Sequence, residues 1–112
     1  MSFIKKTIRL PHLKARVTLI LGEWDAPEWF GGDGYMGRTA FRREKGNKLP
    51  FHAVIHSRSA AISVVAHEAV HAASFIFDAI GAHADFNNDE FLAYFVQYIC
   101  EEAENMTGIY GN

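Results

Sequence analysis

The chain has 112 residues, of which 49% are hydrophobic and 21% charged, so it can bury one core, and intrinsic disorder is excluded as its dominant state. A single cysteine, Cys100, excludes an internal disulfide and a four-cysteine zinc ribbon. The formal charge of −2 conceals an asymmetry. Residues 1–58 hold all 11 Lys and Arg and 5 of the 13 acids, a charge of +6, whereas residues 59–112 hold the other 8 acids and no basic residue.

The sequence shows no targeting or membrane-spanning segment. Residues 1–16 carry five basic residues without a long apolar run, which differs from a signal peptide. The apolar stretch of the second half is interrupted by charged residues and histidines, so no membrane span is expected. We therefore expect a cytoplasmic protein without a membrane partner.

The first half of the sequence predicts strands. Alternating polar and apolar residues predict strands at 7–10, 15–21, 38–43 and 51–56, and the turn signal that follows Arg43 joins the last two as a hairpin. Residues 22–37 are rich in glycine and aromatic residues and predict a long loop, a feature that is often functional. Its aromatic part, from Trp24 to Tyr35, is expected to be an apolar substrate wall, a lid or simply a packed loop.

The second half predicts two helices. Residues 60–79 contain no Gly or Pro, Ser57 or Ser59 is the predicted N-cap, and Gly81 is the predicted end. Apolar residues including Ile62, Val70 and Ile80 predict a core face about 140° wide. A second helix is expected after Asn87-Asn88, through Phe91 to about Asn105, followed by a frayed tail at 106–112.

The element order predicts an α+β fold in one domain spanning residues 1–112. We expect a small antiparallel or mixed sheet, packed on a long helix and crossed by a second, C-terminal helix. Strands and loop occupy 1–57, the first helix 58–81, and the second 88–105. Both helices lie in the part of the chain that lacks Lys and Arg, so the basic and acidic halves are predicted to form one domain with a cleft between them.

The first helix contains the motif His67-Glu68-Ala69-Val70-His71. Residues four apart project from one helix face, so the two imidazoles can bind one Zn²⁺. Glu68, beside them, can accept a proton from metal-bound water without being a ligand. Ser74 and Asp78 share the histidine face, which lacks Lys and Arg and is therefore expected to be covered. The alternative is a pair of histidines with a surface or packing role.

These residues resemble a known family. His67-Glu68-x-x-His71 resembles the signature of the zincin metallopeptidases, and a downstream Glu on a second helix resembles the gluzincins. The short chain is similar to the single-domain minigluzincins and to phage-repressor-cleaving metallopeptidases, over residues 51–104. The resemblance implies a zincin-like domain and a zinc metallopeptidase that cleaves peptide or protein substrates. One zinc per chain would be held by His67, His71 and Glu90, with Glu68 as general base. It also implies that strand 51–56 is the edge strand along which the substrate lies.

The assignment of Glu90 as the third ligand has alternatives. Eighteen residues separate it from the second histidine of the motif, as is typical of gluzincins. An acid in the first turn of a helix is also favoured by the helix dipole alone. Asp85 and Asp89 are the fallback ligands. Tyr94 occupies the position where some gluzincins have an Asp that supports a ligand histidine, so Asp78 or Asp89 would have that role; Asp78 equally fits a solvated residue near the helix end.

Several side chains are candidates to stabilise the oxyanion that forms on a substrate carbonyl. Tyr94, one turn beyond Glu90, and His83, between the helices, are the preferred candidates, with Tyr94 taken as the catalytic one. A packing or surface role is the alternative for each. Cys100 is expected to be a core thiol. The full set of oxyanion candidates is Tyr35, His56, His83, Tyr94 and Tyr98.

The charge asymmetry supports a second hypothesis, from a different functional class. The chain would be a non-catalytic, zincin-like binding protein whose basic N-terminal half binds an acidic protein partner or nucleic acid. Solvated strand faces would produce the same composition, and the sequence contains no nucleic-acid-binding motif, so nucleic acid is not an expected partner. The candidate basic patch comprises Lys5, Lys6, Arg9, Lys14, Arg16, Arg38, Arg42, Arg43, Lys45 and Lys48.

Overall fold

A four-stranded mixed sheet carries both helices on one of its faces. The structure, a computed structural model, describes residues 2–32, 34–59, 61–82 and 90–108. Its elements, in chain order, are β1 (Phe3–Leu10), β2 (Ala15–Gly22), β3 (Gly37–Arg43), β4 (Phe51–Ser57), α1 (Ile62–Ala79) and α2 (Glu90–Thr107). The predicted α+β fold with a mixed sheet and two helices is confirmed.

The alternation of side chains along the strands divides the sheet into two faces. Val17, Leu19 and Leu21 of β2 and Ala53 and Ile55 of β4 point to the helices and are at most 5% exposed. Because side chains alternate along a strand, the intervening residues lie on the opposite, outer face. The helix-facing side chains form the main core of the molecule.

The sheet order corrects the predicted position of strand 51–56. The order is β1-β2-β4-β3, with β4 antiparallel to β3 and parallel to β2, so β4 is an interior strand, whereas β3 and β1 are the edge strands of the described sheet. The turn signal between β3 and β4 predicts their hairpin, which is confirmed. It carries no information on the parallel partner of β4, which depends on packing between segments far apart in the chain.

The start of α1 differs from the prediction, whereas its end matches it. Ser57 belongs to β4, and the Ser59 hydroxyl accepts a hydrogen bond from Ala61 N (3.0 Å), so the helix begins without a side-chain cap. At the other end Gly81 has φ +79°, and its N–H donates to Asp78 O while the next N–H donates to Phe77 O. This is a Schellman ending, as the glycine predicts. Both helices contain 18 residues, so α1 is not the longer one.

The buried face of α1 is rotated by about 40° from the predicted one. Ile62, Val70 and Ile80 were expected in the core but are 37–46% exposed, whereas Glu68 and Ala72 are buried. The reason is that α1 packs on both β4 and β3, so the side of the helix that faces the edge strand is covered as well.

The aromatic loop between β2 and β3 lies mainly on the outer face of the sheet. Phe30 is 1% exposed and packs there with Ile20 and Val54. Trp24 and Tyr35 pack against the same cluster. Trp24, Phe30 and Tyr35 therefore fit the packed-loop alternative, whereas Trp29 of the same loop is 47% exposed.

The second helix is described from Glu90, and its predicted start after Asn87-Asn88 lies outside the described residues. Phe95, Ile99 and Ala103 are buried, and the helix extends to Thr107, beyond its predicted end at Asn105. Neither helix, in the described part of the chain, is long and apolar enough to cross a membrane.

Candidate metal and catalytic site

The two motif histidines meet on one exposed face of α1. His67 Nε2 lies 3.3 Å from His71 Nε2, and the ring centroids are 5.0 Å apart. The predicted cover over this face is wrong for the described residues, because the His67 side chain is 69% exposed and His71 is exposed as well. Ser74 and Asp78 share this face, as predicted, but they are exposed as well.

The separation of the two imidazole nitrogens fits a shared zinc ion. Two nitrogens at about 2.0–2.1 Å from a tetrahedral zinc stand about 3.3 Å apart. The observed 3.3 Å matches that separation and is longer than a typical nitrogen hydrogen bond. The donor set also fits, since neutral imidazole is a common zinc ligand. His67 and His71 are therefore geometrically suited to hold one metal ion together.

Glu68 is directed away from the exposed face and towards the edge strand. It is 7% exposed, and its Oε1 lies 2.8 Å from Thr39 Oγ1, which also lies 3.0 Å from the Glu68 carbonyl oxygen. The other carboxylate oxygen, Oε2, lies 4.0 Å from His67 Nε2. Thr39 thus donates to one carboxylate oxygen and leaves the second on the side of the histidine.

An open pocket of about 360 Å³ lies between the start of β3 and the motif on α1. Gly37, at the start of β3, makes this close approach possible, because a Cβ there would lie 2.5 Å from Val64 Cγ1 and 3.2 Å from Glu68 Cγ. Met36 is the part of the aromatic loop that reaches this site. The pocket is lined by Met36, Gly37, Ser63, Val64, His67 and Glu68.

The third ligand is not assembled within the described residues. No group of three or more His, Cys, Asp or Glu side chains is placed to hold a metal in that part of the chain. Glu90 is exposed at the first residue of α2, directly after segment 83–89, which lies outside the description. Asp85, Asp89 and His83 belong to that segment. Glu90 as the third ligand therefore stays a prediction.

Tyr94 lies in a different pocket from Glu68. It is 64% exposed and, with Tyr98, lines a groove of about 410 Å³ between α2 and the turn after β1. It does not line the pocket that Glu68 and His67 share. Its catalytic role stays a prediction, and the described geometry places it in the groove.

His56 and Tyr35 form a hydrogen bond with each other. Tyr35 Oη lies 2.8 Å from His56 Nδ1, and His56 Nε2 lies 2.8 Å from the carbonyl oxygen of Gly22. The His56 ring is fully buried, and the Trp24 ring packs edge-on against it. Both residues therefore have the packing role that was the alternative to oxyanion stabilisation.

Cys100 lies on the partly buried side of α2, against the core. Burial, together with Glu104 and Glu101, raises the pKa of its thiol above the ordinary value. A thiol with a raised pKa carries little thiolate and is a weak nucleophile. This agrees with the predicted core role.

Two residues of this site were not singled out from the sequence. Thr39 and Gly37 both belong to β3 and contact the helix through a packing that joins segments about 30 residues apart. A glycine at the start of a strand was a weak signal for close backbone approach. Thr39 had no signal, since threonine is an ordinary strand residue.

No protein-family model, curated protein or solved structure that was compared matches this chain. The resemblance to the zincins therefore depends on the motif residues and on the geometry described above.

Proposed function

We propose that the chain is a zinc-dependent metallopeptidase with a zincin-like site on α1. The observation that carries the proposal is the 3.3 Å separation of His67 Nε2 and His71 Nε2 beside a buried, oriented carboxylate. Zinc would be held by His67, His71 and Glu90. When bound, zinc supplies a Lewis acid that polarises a carbonyl and lowers the pKa of water.

Glu68 is the proposed general base and acid. Its Oε1 accepts from Thr39, so its Oε2 is the oxygen available to accept a proton from the attacking water and to return it to the leaving amine. Burial on the side of the edge strand keeps this carboxylate in one orientation. An ordered base is favourable because little reorganisation is then required during the reaction.

The substrate is proposed to lie along β3. This strand forms one edge of the sheet, and an extended peptide can add to such an edge through backbone hydrogen bonds. The pocket beside Gly37 reaches both His67 and Glu68, so a peptide paired with the start of β3 would bring a carbonyl close to them. The proposed binding strand is thus β3, in place of the strand 51–56 expected from the sequence.

Metal content tests the ligand assignment. We expect about one zinc per wild-type chain by elemental mass spectrometry and a loss of zinc in His71→Ala and in Glu90→Gln. His12→Ala, at an exposed histidine outside the site, is the matched control and should keep its zinc. Absence of stoichiometric zinc from the wild type after dialysis against zinc-containing buffer would overturn the proposal.

Cleavage tests the chemistry separately from metal binding. The full-length protein is incubated with a random-sequence peptide mixture, and new termini are identified by mass spectrometry. Glu68→Gln should keep its zinc and reduce the cleavage rate by about 100- to 10,000-fold, the usual contribution of a general base. Cleavage that persists at the wild-type rate in Glu68→Gln would contradict the role of this residue even if zinc is bound.

A further inference from the structure

The positive charge of the N-terminal half is concentrated at one end of the sheet. Segments 9–16 and 42–52 hold seven Lys and Arg and a single acid, Glu44, a formal charge of +6. The rest of residues 1–58 has four basic and four acidic residues and is neutral. The two segments are adjacent because β2 and β4 run parallel from Ala15 and Phe51. We call these two segments the basic end.

A row of basic side chains crosses all four strands at this end. Arg9 is opposite Arg16, Arg16 is opposite His52, and His52 is opposite Arg42. All four lie on the outer face, across about 14 Å of sheet. Arg9 and Arg16 are like charges placed opposite each other on neighbouring strands, an arrangement that destabilises a sheet unless an anion lies beside it.

The middle of the row is neutralised, whereas its two ends are available. Arg16 Nη2 lies 2.6 Å from Glu44 Oε1, and His52 Nδ1 lies 2.6 Å from the same oxygen. The contact of Arg16 is an ion pair without good hydrogen-bond alignment. Arg42 instead stacks on the Trp29 ring at 4.4 Å, and both residues are exposed. Arg9 is exposed at the other end and lines the groove of about 410 Å³.

The groove next to Arg9 adds exposed aromatic rings to the positive charge. Phe91, Tyr94 and Tyr98 are 53%, 64% and 41% exposed and line it together with Pro11 and His12 of the turn after β1. Glu90 is the single acid in the first two turns of α2, because the other acids of this helix occupy its second half. An apolar, aromatic groove therefore opens at the β1 edge of the basic end, on the side of the sheet that carries the helices. A strand that contacts both the groove and the row must therefore pass round the edge of β1.

We propose that the basic end and this groove together bind single-stranded nucleic acid. Arginine and lysine side chains neutralise the phosphates, and exposed aromatic rings in a groove can stack with bases that are free of a duplex. A double helix keeps its bases stacked on one another, so it cannot use the rings. A peptide whose side chains are all acidic would use the charges and leave the aromatic groove without a matching chemical group.

This surface goes beyond the proposed peptidase site, although Glu90, the proposed third ligand, directly precedes Phe91 of the groove. No residue lines both the groove and the pocket of Glu68. Sequence analysis alone ranks nucleic acid low, because the chain contains no recognised binding motif. The fold changes that ranking by bringing two basic segments and the aromatic side of α2 together.

The test is fluorescence anisotropy with the full chain and a labelled 20-nucleotide poly(dT) or poly(U) strand. Measurements at several NaCl concentrations from 50 to 300 mM should give an affinity that falls steeply with salt, since phosphate neutralisation releases counterions. The single strand should bind at least about tenfold more tightly than a duplex of the same length. Glu68→Gln should bind like the wild type, so this result is independent of the peptidase proposal.

Two kinds of variant separate the contributions of charge and stacking. Arg9→Gln with Arg42→Gln should weaken binding at least about tenfold and make its salt dependence shallower by about one to two units of slope. Tyr94→Ala with Tyr98→Ala should weaken binding about tenfold or more and leave the salt dependence unchanged. Lys5→Gln, which removes an exposed charge outside the basic end, is the matched control and should change the affinity less than threefold. Far-UV circular dichroism verifies the fold of each variant.

Competition identifies the partner class. Polyglutamate of equal charge should compete at least about tenfold more weakly than unlabelled poly(dT), because it offers no base to stack. Equal or stronger competition by polyglutamate would overturn the proposal and assign the surface to an acidic protein. Equal binding of duplex and single strand, or no binding at 50 mM NaCl, would overturn it as well.

Discussion

Two pairs of histidines in this chain have the same spacing and different environments. His52 and His56 lie four residues apart on β4, and His67 and His71 lie four residues apart on α1. A strand separates such residues by about 13 Å, whereas a helix separates them by about 6 Å along its axis and places them on one face. Only the helical pair can therefore share one metal ion.

The histidine pair on the strand and the histidine pair on the helix also differ in their hydrogen-bond partners. His52 bridges Thr18 and Glu44, and His56 bridges Tyr35 and the Gly22 carbonyl, so both nitrogens of each strand histidine are occupied. Within the described residues, the two nitrogens of the helical pair face each other, and His67 Nε2 also lies near Glu68. Histidines with both nitrogens engaged stabilise the fold, whereas histidines whose nitrogens converge are suited to bind a cation.

The largest effect that would distinguish the two pairs is expected on zinc affinity. His67→Ala should lower it by at least about 100-fold, more than the loss of a residue that merely supports a ligand. The zinc-free variant should unfold within about 0.5 kcal/mol of the zinc-free wild type, because the His67 side chain is 69% exposed. Competition with a chelator measures the affinity, and urea denaturation measures the stability. Unchanged zinc affinity in His67→Ala would remove the distinction between the pairs.

At His56 we expect the opposite result, a large effect on stability and none on zinc binding. His56→Ala should lower the free energy of unfolding by about 2–4 kcal/mol, because it leaves the Tyr35 hydroxyl and the Gly22 carbonyl without their partner and creates a cavity. Zinc content should be unaffected. Urea denaturation and elemental analysis are performed beside His12→Ala, an exposed control. A loss of zinc in a folded His56→Ala protein would show that the strand pair contributes to the metal site.

A smaller effect is expected at Thr39, which connects the edge strand with the helical motif. Thr39→Val should reduce peptide cleavage about tenfold through kcat, because Glu68 loses the donor that orients it. Thr39→Ser keeps the hydroxyl and should restore most of the rate. The pH dependence of kcat should shift in the Val variant and remain in the Ser variant. Equal rates in all three proteins would show that Thr39 only packs.

The smallest effect is expected on the pH dependence of the free energy of unfolding, through the histidine pair on β4. Burial lowers the pKa of His52 below its ordinary value of 6.5, and Arg16 nearby lowers it further, although Glu44 opposes the shift. The unfolded chain therefore binds the proton more tightly, so the free energy of unfolding should decrease as the pH falls below about 6.5. His52→Gln should reduce this pH dependence, and His12→Gln should leave it unchanged. A stability that rises on acidification over this range would contradict the direction of the shift.

Local patterns in the sequence predict most of the secondary structure. Period-two alternation locates the strands, and Gly81 locates the end of α1. The spacing of His67 and His71 alone predicts that their imidazoles meet, since helix geometry fixes that relation within one turn. These features depend on residues that are close together in the chain.

Features that depend on distant residues were not predictable in the same way. The parallel pairing of β2 with β4, the burial of Glu68 and its bond with Thr39 all arise when separate segments pack. The rotated core face of α1 has the same origin, because an isolated amphipathic pattern does not indicate which strand the helix will cover. The basic end likewise exists only once two segments become neighbours.

Some contacts around the motif join residues that are close in the chain, and others join residues that are far apart. This difference has a consequence for the order in which the site forms. The two histidines need a single turn of helix, whereas the anchor of Glu68 is 29 residues away and requires the assembled sheet. Metal that binds a partly folded chain stabilises that chain as well. During denaturation, zinc capture should therefore outlast peptide cleavage, and the appearance of activity should mark the final docking of β3 on α1.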